Sequence, residues 1–180
     1  MTRWTIALSL MLALAFPASA NDLFIGPDGQ PLPDTASRQS KRGFSGALVI
    51  TADPDWRAKW DQPSDRTPQF EPATQVRRGG QLSMLVFFAN PRLDADRKAD
   101  VRCDIQVTRP DGSVSAEQDN VVCYQGPALG NELHVYLAAP VIYFLAEPED
   151  LAGRWTVKVT LRDDARRVML PLEASFELVD

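Results

Sequence analysis

The sequence is poor in the side chains that most enzymes use. Its 180 residues include one histidine, His134, and two cysteines, Cys103 and Cys123. A zinc centre draws three or four ligands from His, Cys and carboxylates, and one imidazole beside a paired cysteine couple leaves only acids to supply them. A copper carrier of the small β-barrel kind would want several His or Met ligands just after residue 20, and none are there. No serine sits in a Gly-x-Ser-x-Gly elbow. A Cys–His nucleophile requires a free thiol. His134 lies between Leu133 and Val135, so in a strand it faces away from both, as a solvent-facing structural histidine does.

Positive charge and long apolar runs are also scarce. Lys and Arg number 19 against 24 Asp and Glu, a net charge of −5. An acidic chain without a long basic run repels phosphate backbones, which excludes nucleic acid as partner and disfavours anionic membrane surfaces. One apolar stretch stands out, Ile6 to Phe16, interrupted only by Ser9. It is about half the roughly 20 residues that a spanning helix needs. Arg3 precedes it, Pro17 ends it and Ala18-Ser19-Ala20 follows, the pattern of a secretory signal peptide over residues 1–20 cleaved before Asn21. No Cys follows that junction for a lipid anchor. The remaining 160 residues, with 18 basic and 24 acidic side chains, carry −6. The expected address is the periplasm or the exterior, with no membrane insertion after signal removal. In an oxidising compartment Cys103 and Cys123 are most simply a disulfide, and closing a loop of about 20 residues stabilises a fold by about 3 kcal/mol on the chain-entropy model.

Residues 21–43 are rich in Pro, Gly, Ser, Asp and Gln. They read as a disordered N-terminal arm holding a Gly26-Pro27-Asp28-Gly29 turn, a spacer whose alternative role is to dock Leu23-Phe24-Ile25 on a sheet. Residues 44–180 read as one domain, of a size that buries roughly 70% of its unfolded surface. Phe44 to Thr51 is a strand. Asp53-Pro54-Asp55 opens a short helix with Asp53 as N-cap and Pro54 first; on it Trp56 and Trp60, four apart, share a face. Asp61 to Pro72 is a proline-broken connection. Gln81 to Ala89 is nearly all apolar, a central strand buried on both faces, and Asn90 to Asp100 is a charged loop.

Alternation is clean from Val101 onward. Val101, Cys103, Ile105 and Val107 face one side, Arg102, Asp104, Gln106 and Thr108 the other. Arg109-Pro110-Asp111-Gly112 is a turn, and the chain returns through Val114 to Cys123. The disulfide therefore links neighbouring strands of one hairpin, and a bulge absorbs the register offset. Asn131 to Leu137 and Pro140 to Leu145 are further strands. A last hairpin places Trp155, Val157, Val159, Leu161, Val168, Leu170, Leu172, Phe176 and Leu178 on a core face, with Pro171 marking an edge or a bulge.

Glu149-Asp150-Leu151-Ala152-Gly153-Arg154-Trp155-Thr156-Val157 resembles the corner before the penultimate strand of immunoglobulin-like domains, with Trp155 in place of the usual Tyr. The whole chain also resembles uncharacterised exported β-sandwich proteins of Gram-negative bacteria. The resemblance implies an all-β fold, a single immunoglobulin-like antiparallel sandwich with one short helix. It implies no function, because that fold hosts many.

Carboxylates remain as candidates. Asp94 with Asp96 and Asp163 with Asp164 lack the spacing of a calcium loop and suit turn tips. Glu147 with Asp150, the conceivable glycosidase pair, suits a corner. No cofactor is expected. The expected role is non-catalytic, binding another envelope or secreted protein in a chaperone-like or inhibitor-like way, through Trp56, Trp60, Tyr136 and Tyr143. A small-ligand or glycan-binding module using the same tryptophans is the alternative.

Overall fold

The computed structural model of the chain describes residues 24, 32–62, 68, 70–130 and 134–180. The signal segment, its cleavage junction, Leu23, Ile25 and the 26–29 turn lie outside the described residues. Two five-stranded sheets face each other across one core. The first is ordered β1 (Arg38–Lys41), β2 (Phe44–Thr51), β4 (Gln81–Ala89) and β7 (Val135–Leu137), with β8 (Ile142–Leu145) also on β4. The second runs β3 (Gln75–Arg77), β10 (Val168–Val179), β9 (Gly153–Asp163), β5 (Lys98–Thr108) and β6 (Val114–Pro127). All pairs are antiparallel except β3 with β10. The two facing sheets make the all-β sandwich that the alternating strands predict.

The alternation read from the sequence sets the core. Val101, Cys103, Ile105 and Val107 of β5 meet Trp155, Val157, Val159 and Leu161 of β9, and Phe44, Leu48, Met84, Val86 and Phe88 close on them from the first sheet. Trp155 stands where the corner Tyr is expected, and its indole N–H donates to the Leu151 carbonyl at 2.9 Å. The corner bond therefore survives the change of ring, using the single donor that Trp has. Cys103 and Cys123 join β5 to β6 with a Cα–Cα distance of 5.8 Å. Register shifts interrupt that ladder at three places, one between Cys103 and Ile105, which supplies the expected bulge.

Gly46 of β2 faces the leucines of β9 and β10 across the core. A Cβ there would lie 2.5 Å from Leu161 Cδ1, so any side chain at this position displaces that leucine. Guanidinium groups close both ends of the sandwich. Arg166 donates to the carbonyls of Arg42 and Asn90 at 2.7 and 2.8 Å, while the buried Asp163 carboxylate accepts the Arg92 and Arg166 amides. At the other end Arg78 gives one nitrogen to the carbonyls of Glu147, Pro148 and Asp150 and another to the Asp180 carboxylate.

Four details depart from the sequence reading. β5 begins at Lys98, inside the Asn90 to Asp100 stretch read as a charged loop, because Lys98 to Asp100 pair with Pro127 to Gln125 of β6. The arm ends early: Arg38–Lys41 is a strand, paired with β2 around the Arg42-Gly43 turn, where both residues have positive φ. Its polar side chains concealed it. The helix α1 covers only Trp56–Trp60, with Asp55 at the N-cap position and no side-chain cap bond; Asp53 pairs with Lys59 instead. β3 is additional, a strand of 3 residues held by parallel pairing to β10 and too short to alternate. Pro171 faces the expected edge: β3 reaches β10 only at Glu177 to Val179.

Candidate functional site

β4 alternates between two apolar faces, so the first sheet needs cover on both sides. Leu82, Met84, Val86 and Phe88 point into the main core. Leu85 and Phe87 point outward and are still buried, beneath Trp56 and with Phe24, Trp60, Phe70, Val135 and Leu137 packed around them. Phe87 is held between Trp60 at 5.3 Å and Phe70 at 5.6 Å between ring centroids. The helix and its connection thus form a second, smaller core. Phe24 belongs to it, so the arm docks on its own sheet at that residue.

Electrostatics pin the helix. Lys59 bonds the Asp53 carboxylate and reaches Asp55 at 3.5 Å. Hydrogen bonding to Asp55 and to the Lys59 ammonium lowers the Asp53 pKa below the usual carboxylate range. The Arg57 guanidinium lies 4.7 Å over the Trp56 ring, a cation–π contact.

The four aromatic residues proposed as a binding surface do not form one. Trp56 is 4% exposed and Tyr136 is 5% exposed. Tyr136 opposes Phe88 in the ladder between β4 and β7 and so turns inward with it, stacked at 4.9 Å. Its hydroxyl exchanges bonds with the Leu129 backbone. Trp60 is half-buried. Tyr143 alone is open, 51% exposed, with its ring 6.5 Å from Trp56.

What stands exposed is the outer edge of β8. Ile142 and Phe144 pack against the main core, whereas Tyr143 and Leu145 are 51% and 55% exposed. Ala146, of the same parity as Ile142 and Phe144, bonds toward the β4 side through Gly80. By the strand alternation the N–H and C=O groups of Tyr143 and Leu145 point away from β4. They have no backbone partner among the described residues. Leu145 was missed in the sequence because Ile142 to Leu145 is apolar at every position and offers no polar marker of its wet side.

The other candidates hold turns. Asp94 accepts the amides of Asp96 and Lys98, and Asp150 accepts that of Glu147. Asp163 is buried in the staple described above, with Asp164 exposed beside it. His134 is half-buried rather than free in solvent, edge-on to Tyr136 at 4.9 Å. Among the described residues no three His, Cys, Asp or Glu side chains gather as a metal site would require, and no helix is long and apolar enough to cross a membrane.

No protein-family model matches the sequence, and no curated protein matches it. Solved structures align with much of this chain at low identity. A family 123 glycoside hydrolase from Clostridium perfringens aligns over 75% of this chain and 27% of its own at 8% identity, with a TM-score of 0.42. The CARDB domain of the PF1109 protein from Pyrococcus furiosus aligns over 82% and 98% at 11% identity and a TM-score of 0.37. The C-terminal domain of wzt aligns over 79% and 77% at 12% identity, also with a TM-score of 0.37. The chain spans about a quarter of the length of the glycoside hydrolase it matches. These likenesses concern the β-sandwich alone, and that is the class to which the architecture of this chain belongs.

Proposed function

We propose that the protein is a non-catalytic interaction protein of the periplasm or the exterior, immunoglobulin-like in fold, that binds another envelope or secreted protein along the β8 edge. The observation that carries this reading is the pairing, on one short strand, of two half-exposed apolar side chains with outward-facing backbone groups at Tyr143 and Leu145. An extended partner segment adds to such an edge by backbone hydrogen bonds and reads alternate side chains for specificity. The signal-like segment and the disulfide support the address. Burial of Trp56 leaves no paired tryptophan platform, so the glycan-binding alternative loses its motivating feature.

The test is affinity capture from an envelope fraction with the unaltered protein and with the Tyr143→Ala/Leu145→Ser double variant. The expected result is one dominant partner, retained by the unaltered protein and lost by the variant at an unchanged melting temperature. Equal capture by both proteins would refute the assignment to β8.

A further inference from the structure

On the far side of the first sheet from β8, one strand of the sandwich is interrupted, and the interruption is a cavity of about 270 Å³. Two stretches of chain each bridge the two sheets there. At one end Ser37 C=O accepts from Leu48 N–H of β2, and Ala36 C=O accepts from Glu173 N–H of β10. At the other end Ala73 N–H donates to Ile50 C=O of β2, and Thr74 C=O accepts from Glu177 N–H of β10. The bridges lie two residues apart along β2 and four apart along β10, roughly 7 and 13 Å at the rise of an extended strand.

Between them Leu48 C=O, Ile50 N–H and both backbone groups of Ser175 point to the open side, since each shares its residue or its strand parity with a bridged group. None has a hydrogen-bond partner among the described residues. The walls include the small side chains of Ser37, Ala47, Ala73, Thr74, Ala174 and Ser175. The lining holds no aromatic ring on which a sugar could stack and no His, Cys or carboxylate for a metal. Its single charge, Arg38, is turned to the Pro33 carbonyl at 2.7 and 3.1 Å.

We infer that this slot binds a short extended segment of a second polypeptide, laid as a strand between the two bridges. Its amides donate to Leu48 C=O and Ser175 C=O, and its carbonyls accept from Ile50 N–H and Ser175 N–H. Unpaired alternating donors and acceptors match an extended backbone, and the small walls admit Ala- and Val-sized side chains. The site is separate from β8 and does not rest on that reading.

The test uses amide resonances of the isotopically labelled protein titrated with acetyl-Ala-Val-Ala-Val-amide. The control is the same peptide N-methylated at alternate amides. The expected result is a saturable shift centred on Leu48, Ile50 and Ser175, with the methylated peptide bound about tenfold more weakly through the loss of one or two hydrogen bonds. Shifts confined to Tyr143 and Leu145 would overturn the slot while supporting the β8 edge. No shift at millimolar peptide, or equal binding of both peptides, would overturn it as well.

Discussion

Replacing Trp56 by Ala tests whether the outer face of the first sheet is a core. The indole is 4% exposed and covers Leu85 and Phe87. Removing a large aromatic ring from such a site costs about 3–5 kcal/mol, the lost transfer free energy plus the cavity left behind. The contacts to the Tyr143 ring and the Arg57 guanidinium disappear with it. For a domain of this size each kcal/mol moves the melting temperature by about 2–4 °C, so a fall of roughly 6–20 °C is expected by differential scanning calorimetry. Tyr143→Ala is the matched comparison. Its ring is half exposed, and its loss is expected to cost less than about 1 kcal/mol, as for other surface positions. A Trp56→Ala protein melting within about 2 °C of the unaltered one would refute the second core and return Trp56 to the list of surface residues.

Gly46→Ala is expected to destabilise by about 1–3 kcal/mol through overpacking, because the new methyl group meets Leu161 Cδ1; an unchanged urea midpoint would show that Leu161 moves aside at no cost. Replacing Cys103 and Cys123 together by Ala removes a cross-link over 20 residues. The expected loss is about 3 kcal/mol, and the untreated native protein should titrate no free thiol. The pH dependence has a definite sign at Asp100. Hydrogen bonds from Arg102 lower its pKa below 3.8, so its contribution is complete above that value and is lost as pH falls through the lower folded-state pKa. Asp100→Asn should therefore narrow the gap in urea midpoint between neutral and strongly acidic solution, by a small amount because the carboxylate is half exposed; an unchanged gap would deny the pairing any role.

The strands legible in the sequence are those with clean alternation and those with an unbroken apolar run. β5, β9 and β10 alternate over nearly their whole length, and the bounds of β2 and β4 coincide with their apolar runs. β1 was hidden because Arg38, Gln39, Ser40 and Lys41 carry no apolar mark, and it is held by the turn and by pairing with β2. β3 was hidden because its partner is more than 100 residues away in β10. The candidate site was legible only as composition. Tyr136 and Tyr143 lie in one apolar stretch, and their opposite fates follow from opposite parity against β4, Tyr136 facing Phe88 and Tyr143 facing Ser83. The apolar run of β4 predicts a strand buried on both faces, but nothing local to Trp56 and Trp60 assigns their helix to the outer one.

The position of β10 has a kinetic consequence. It follows every other described strand along the chain, yet it pairs with β3 and packs against β2. Until it emerges, β9 lacks its hairpin partner and neither bridge across the slot can form. Closure of the sandwich therefore waits for β10. The loop closed by that step is long, which places folding among the slower, non-local topologies. A chain that cannot close early exposes apolar edges that invite association until β10 pairs.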